Sequence, residues 1–168
     1  MRNLMEKKLR KRQSMLVDAG MAVILFAVWS VARVNLYLGH ATFILEELYR
    51  TAEEFGINKN NFLIFMVSFV AVILLFQLSI RLYIGICATK EGKGTSKGWA
   101  YLVLTAVLLI IDTQSYWQTF GVQRIFAGEG LSVNLISGLC MEAASIYVLL
   151  ELLISGICVK KLRTTMKV

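Results

Sequence analysis

The chain has 168 residues, enough for one domain, and 57% of them are hydrophobic. That fraction, with a mean hydropathy of +0.66, excludes an ordinary soluble globular domain. The formal net charge is +7, but the basic residues gather at the two ends and in one short loop. That distribution argues against a nucleic-acid-binding surface. These totals predict an all-α, polytopic membrane protein that binds no nucleic acid.

The first long apolar run covers about residues 16–38 and follows a dense basic cluster. A helix rises about 1.5 Å per residue, so such a run crosses the roughly 30 Å of a bilayer's hydrocarbon core. The run is longer than a signal-peptide core and no small-residue cleavage motif follows it, so we expect a retained span. Anionic lipid headgroups are the expected partners of the basic cluster, which consists of Lys7, Lys8, Arg10, Lys11 and Arg12.

A polar stretch with helical periodicity follows the first span. Apolar side chains recur every three or four residues from Ile44 to Phe55, and charged residues fill the other faces. This pattern predicts an external amphipathic helix over about residues 41–55, either continuing the first helix or lying on the membrane surface. Asn60 or Asn61 is expected to cap the helix that follows.

Three further apolar runs complete a single predicted domain of four transmembrane helices. They cover about residues 61–88, 99–117 and 132–159. A short loop with three lysines, 89–98, joins the second run to the third and lacks the residue spacing of a phosphate-binding loop. Aromatic side chains flank the third run and predict a belt at both membrane interfaces: Trp99, Tyr101, Tyr116 and Trp117.

The positions of the basic residues predict the orientation of the chain. Residues 1–15, 89–98 and 160–168 hold 13 of the 18 Lys and Arg, whereas 39–61 and 118–131 hold three, together with five acidic residues. Basic loops face the cytoplasm. We therefore predict an antiparallel bundle in the plasma (inner) membrane, with both termini cytoplasmic.

The second and fourth runs end alike. The sequence Gly-Ile-Cys occupies residues 85–87 and again 156–158, and a lysine follows within three residues each time. Two interpretations stay open: the chain consists of two related helical hairpins, or three residues match by chance at an apolar helix end.

The residues most informative about function are the ionisable ones inside the apolar runs. A charge at mid-bilayer costs about 2.5–3.5 kcal/mol on insertion scales, so such groups face protein or water and have partners. Helix rise from the inner end puts Arg33 at about 25 Å, Asp112 at about 20 Å and Glu142 at about 27 Å, which predicts an outer charged layer. Arg81 and Glu151 both lie at about 13 Å and predict an inner layer.

Polar neighbours extend the outer layer. Tyr37 shares a helix face with Arg33, and Ser115 shares one with Asp112. These stripes predict a polar vestibule open to the outside, in which two carboxylates share one guanidinium and one of them lacks a full partner. Such a carboxylate suits the handling of a cation or proton. The simpler interpretation is that the charges are salt bridges that hold the bundle together.

The leading functional hypothesis is a small channel or transporter with this vestibule. Glu142 and Glu151 are nine residues apart, about half a turn out of phase, so one of them is expected to face a neighbouring protomer. The alternative is a non-catalytic accessory or scaffold subunit of a larger membrane complex. An enzyme is disfavoured because no nucleophile–base pair or metal-ligand spacing occurs. Expected partners are membrane lipids and a second copy or another membrane protein; no cofactor or metal is expected.

Overall fold

The described residues form four long helices. The computed structural model describes residues 2–40, 50, 58–120 and 133–167. Each helix contains a segment long and apolar enough to cross a membrane, which confirms an all-helical multi-pass membrane protein. The helices are α1 (Arg2–His40), α2 (Lys59–Gly92), α3 (Ala100–Phe120) and α4 (Val133–Lys167).

All four helices continue beyond the ends of their apolar runs, α3 by three residues to Phe120. α1 begins at Arg2 rather than near residue 16, α2 ends at Gly92, and α4 ends at Lys167. Lys, Arg, Glu, Leu and Met all favour helix, so the backbone continues after the hydrophobic pattern stops. The predicted external helix over 41–55 lies outside the described residues apart from Arg50, which is helical.

α2 begins at a side-chain cap two or three residues earlier than predicted. The Oδ1 atom of Asn58 accepts a hydrogen bond from the backbone N–H of Asn60 at 3.0 Å. This is the bond that an N-cap residue makes to the second helical residue. The prediction of Asn60 or Asn61 as the cap was wrong, because the helix starts before the apolar run rather than with it.

α2 ends in a glycine cap. Gly94 has a φ of 103°, in the left-handed region that glycine tolerates best. The backbone N–H of Gly94 donates to the carbonyl of Glu91 at 3.0 Å, and that of Thr95 donates to the carbonyl of Lys90 at 3.1 Å. This pair of bonds is a Schellman motif, which satisfies the last carbonyls of the helix.

The chain divides into two compact units. One comprises Met1–Leu25 and Leu82–Val168, and the other is Phe26–Arg81. In the first unit α3 and α4 pack against each other. Its core is built from aliphatic side chains of all four helices, including Leu16, Val23, Ile84, Leu102, Leu108, Leu149, Leu152 and Val159.

Glycines bring α1 and α2 close together within the first unit. An ideal Cβ on Gly85 would lie 2.7 Å from the carbonyl oxygen of Gly20 and 2.5 Å from Cγ1 of Ile24. One on Gly92 would lie 2.5 Å from Cγ2 of Val17. Small residues at such positions let helix backbones approach, which is how helices pack in membranes.

A glycine also lies at the contact between α3 and α4. An ideal Cβ on Gly156 would lie 2.5 Å from Cδ2 of Leu102 and 3.0 Å from the hydroxyl of Tyr101. Tyr101 is 1% exposed, so the prediction that it belongs to an interfacial aromatic belt was wrong. Its hydroxyl and the end of the Leu102 side chain occupy the space that a Gly156 side chain would need, whereas Trp99 and Trp117 are exposed as that belt requires.

The second unit exposes much of its apolar surface. No residue in the most apolar stretch of the α2 span is buried, whereas 22–28% of the corresponding stretches of the other three spans are buried. Exposed large side chains on α2 include Ile64, Phe65, Phe69 and Phe76. In a membrane this surface needs lipid or another helix against it.

Candidate functional site

Two of the predicted site residues lie on helices that pack together. Asp112 is on α3 and Glu142 is on α4, and both side chains are partly buried. Each makes a polar or charged interaction. Ser115, one turn beyond Asp112, is exposed. The two carboxylates are therefore polar groups held within apolar spans and not fully enclosed by protein.

The structure describes the other residues of the two predicted charged layers only in part. Arg33 and Tyr37 lie on α1, but their side chains are outside the described residues. Arg81 is 5% exposed and is engaged in an interaction, and Glu151 is partly buried. The outer cluster around Arg33 and the pairing of Arg81 with Glu151 stay predictions.

The predicted lipid-binding cations all lie on the first turns of α1. Lys7, Lys8, Arg10 and Lys11 are exposed, and Arg12 is partly buried. They extend from a regular helix rather than from a frayed segment, so helix geometry fixes which of them share a face.

Among the described residues, the most enclosed carboxylate is one that the sequence analysis did not single out. Glu91, in the last turn of α2, is 1% exposed. Its Oε1 atom lies 3.2 Å from Nζ of Lys160 and 3.7 Å from Nη1 of Arg163, both on α4. Nη2 of Arg163 also donates to the backbone carbonyl of Glu91 at 2.8 Å. We call Glu91, Lys160 and Arg163 the inner charge cluster.

The inner charge cluster also holds the connection between α2 and α3. Nζ of Lys160 donates to the carbonyl of Lys97. It lies 5.2 Å from the ring centroid of Trp99 and 5.6 Å from that of Tyr101, within the range of a cation–π interaction. One ammonium group thus ties the end of α4 to the start of α3 and to the loop before it.

Charge attraction, rather than well-aligned hydrogen bonds, holds the Glu91 carboxylate. Within the described parts of the chain, neither of its oxygens has a hydrogen-bond partner of good geometry, and the same is true of the buried Tyr101 hydroxyl. That hydroxyl still interacts electrostatically with the carboxylate. Removing one partner of such a buried pair leaves an uncompensated charge, which is strongly destabilising.

The sequence contained a signal for this cluster. Residues 89–98 and 160–168 hold seven Lys and Arg but a single acid, Glu91. A lone carboxylate among so many cations is a natural ion-pair partner. The apolar run ends at residue 88 and so places Glu91 in the predicted loop 89–98, whereas the helix continues to Gly92.

The described residues offer no obvious metal site. No three His, Cys, Asp or Glu side chains among them come together as metal ligands would. The three cysteines are free thiols: Cys87 is buried, Cys140 is exposed and Cys158 is partly buried.

Comparison with known proteins gives no match to a family model, a curated protein or a solved structure. The function must therefore be argued from the helices and their side chains.

Proposed function

We propose that the protein is a small membrane transporter or channel in which Asp112 and Glu142 handle a cation or proton. The observation that supports this most directly is the presence of two incompletely buried carboxylates on the adjoining helices α3 and α4. Both lie within spans apolar enough to cross a membrane. Ionisable groups are costly there and commonly mark ion pathways or proton relays.

Helix rise supports a common layer for these two carboxylates. Leu102 and Gly156 meet where α3 and α4 pack. From that contact Asp112 is ten residues along α3, about 15 Å, and Glu142 is fourteen residues back along α4, about 21 Å. In an antiparallel pair the two heights differ by about one helical turn, which long carboxylate side chains and one bound ion or water bridge readily.

The contacts between α1 and α2 support the antiparallel arrangement. Gly92 of α2 approaches Val17 of α1. Gly85, seven residues before Gly92, approaches Ile24, seven residues after Val17, so the two helices run in opposite directions. The basic residues lie mainly at the chain ends and in the α2–α3 connection, which supports cytoplasmic termini by the positive-inside rule. We extend the proposal to the plasma (inner) membrane and to a homo-oligomer.

The inner charge cluster favours a transporter over a permanently open pore. Lys160 and Arg163 bring α4 against the end of α2, and Glu91 is almost fully enclosed there. An ion held near Asp112 would need this packed end to loosen before reaching the cytoplasm. Alternating access of that kind is common among membrane carriers.

Flux through proteoliposomes tests the proposal. Purified protein would be reconstituted, and proton, sodium and potassium flux measured for wild type, Asp112→Asn and Glu142→Gln. We expect each variant to lower flux about tenfold or more, because each removes a charge that compensates the ion inside the membrane. Thr113→Val is the matched control, since Thr113 is exposed on the same helix and its hydroxyl donates only to the carbonyl of Leu109.

Two results would contradict the transport proposal. One is wild-type flux no greater than that of protein-free vesicles for all three ions. The other is equal flux in wild type, Asp112→Asn and Glu142→Gln, because the carboxylates would then have no part in transport. Circular dichroism of each variant in detergent establishes that the helices are intact.

The exposed span of α2 favours a second candidate, an accessory subunit of a larger membrane complex. Its most apolar stretch has no buried residue, unlike the other three spans. A partner helix could pack on this surface. A membrane protein that co-purifies at fixed stoichiometry after mild solubilisation would favour this role. A homo-oligomer that transports ions alone would count against it.

A further inference from the structure

A groove lies where the N-terminal part of α1 meets the C-terminal part of α4. Its volume is about 580 Å³, within the roughly 300–1,000 Å³ of small-molecule sites. Both helix segments belong to the same compact unit. Neither Asp112 nor Glu142 lines the groove. A ligand of the groove can therefore be tested separately from ion transport.

Four cationic side chains line this groove. Three come from α1, namely Lys8, Lys11 and Arg12, and Lys161 comes from α4. No aspartate or glutamate is among the described residues that line it. The side-chain contact that the Arg12 guanidinium makes is a 3.9 Å approach to the sulfur of Met15, a weak acceptor. The groove therefore presents positive charge suited to an anion.

The same groove presents apolar surface. Met5 and Met15 contribute from α1, and Leu162 contributes from α4. A soluble phosphate or carboxylate would leave these side chains unused. A molecule with an anionic head and a hydrocarbon chain would use both surfaces, burying apolar area beside the charge contacts.

The depth of the groove matches a lipid headgroup. Leu16 is the first fully buried core residue of α1. Lys8 to Arg12 precede it by four to eight residues, or about 6–12 Å of helix, which reaches into and past a headgroup region of about 5–7 Å on each side of the hydrocarbon core. Met15 adjoins Leu16 and so lies nearest the acyl chains.

We propose that this groove binds one anionic phospholipid. Its phosphate lies among the four cations and its acyl chain lies along the methionine and leucine side chains. This sharpens the sequence-based prediction, in which five basic residues of α1 were equivalent. Lys7 and Arg10 are exposed but do not line the groove, so the structure divides the basic cluster into residues that contact the lipid and residues that do not.

Charge-matched double variants test the proposal. The full chain in detergent would be titrated with phosphatidylglycerol or phosphatidylcholine, and bound lipid counted by native mass spectrometry. Wild type should bind one phosphatidylglycerol about tenfold or more tightly than phosphatidylcholine. Lys8→Gln with Lys161→Gln should lose about tenfold in that affinity, because each nearby cation contributes to anionic lipid binding. Lys7→Gln with Arg10→Gln removes the same net charge and should change affinity less than about threefold.

A second test of the proposal uses the wild-type chain alone. Cys158 is partly buried and lines the groove, whereas Cys140 is exposed elsewhere on α4. Alkylation by a maleimide, resolved by peptide mass spectrometry, reports both thiols in one sample. Phosphatidylglycerol should slow modification of Cys158 and leave Cys140 unchanged, and phosphatidylcholine and glycerol 3-phosphate should protect neither.

Three results would overturn the proposal. Equal weakening in the two double variants would mean diffuse attraction to the whole basic cluster. Equal protection of Cys158 by glycerol 3-phosphate would mean a site for soluble anions. Equal binding of the two phospholipids would mean that the four cations do not select charge.

Discussion

The two Gly-Ile-Cys segments give the same short sequence two different packing roles. On α2, a side chain at Gly85 would meet the main-chain oxygen of Gly20 at 2.7 Å. On α4, the three atoms nearest to a side chain at Gly156 would all be side-chain atoms, of Leu102 and Tyr101. The first contact is set by backbone that cannot move locally, and the second by side chains that can rotate.

The difference extends to what surrounds each glycine. Beside Gly85, the contact continues through glycine and aliphatic side chains of α1 and α2. Beyond Gly156, Lys160 and Arg163 reach the carboxylate of Glu91. Close backbone packing thus holds α1 against α2, and charge attraction ties α4 to the end of α2. Whether the two pairs arose as related hairpins stays a prediction.

The largest loss of stability should come from removing the Glu91 carboxylate, which Lys160 and Arg163 share. Glu91→Ala leaves Lys160 and Arg163 facing each other in a poorly solvated place, and we expect a loss of about 3–5 kcal/mol in the free energy of unfolding. Unfolding by SDS in mixed micelles measures it. Lys90→Ala is the control, because Lys90 is exposed one position earlier on α2. A loss no greater than that of the control would mean that the inner charge cluster stabilises nothing.

A smaller effect is expected at the backbone contact. Gly85→Ala forces α1 and α2 apart, which costs about 1–3 kcal/mol for overpacking, partly offset by about 1 kcal/mol of helix propensity. The same SDS titration should give a net destabilisation. Gly98→Ala serves as the reference, since nothing lies within 4 Å of a Cβ there. An unchanged Gly85→Ala protein would refute the close backbone packing.

The smallest effect is expected at the side-chain contact. In Gly156→Ala the end of the Leu102 side chain can rotate away, and alanine favours helix by about 1 kcal/mol over glycine. The net change in the free energy of unfolding should stay within about 1 kcal/mol. A loss equal to that of Gly85→Ala would erase the distinction between the two helix pairs, as the same titration would reveal.

The sequence predicted the four spans because membrane helices leave a strong signal of length and hydropathy. It did not predict where the helices end. Lys90, Glu91 and Gly92 read as a polar loop, yet they complete α2 and carry its best-buried charge. Polarity marks the membrane boundary, whereas the backbone hydrogen bonds that end a helix depend on the cap at Gly94.

The sequence also did not predict which face of each helix is buried. Tyr101 and Trp99 both precede an apolar run, and either fits an interfacial belt, but Tyr101 faces Gly156 and Trp99 faces outward. Rotation of a helix about its axis is set by its neighbours, which sequence alone does not supply. For the same reason the spacing of Gly85 and Gly92 did not reveal which helix they pack against.

The four helices differ in length, and this difference affects how the protein fits a bilayer. The described part of α3, Ala100–Phe120, has 21 residues, or about 32 Å, whereas the other three helices have 34 to 39. A long span fits a thin membrane by tilting, but a short one in a thick membrane must draw the lipids inward. Trp99 precedes α3 and Trp117 lies in its last turn, and Nζ of Lys160 lies over the Trp99 ring. Membrane thickness should therefore act on this protein through its shortest helix.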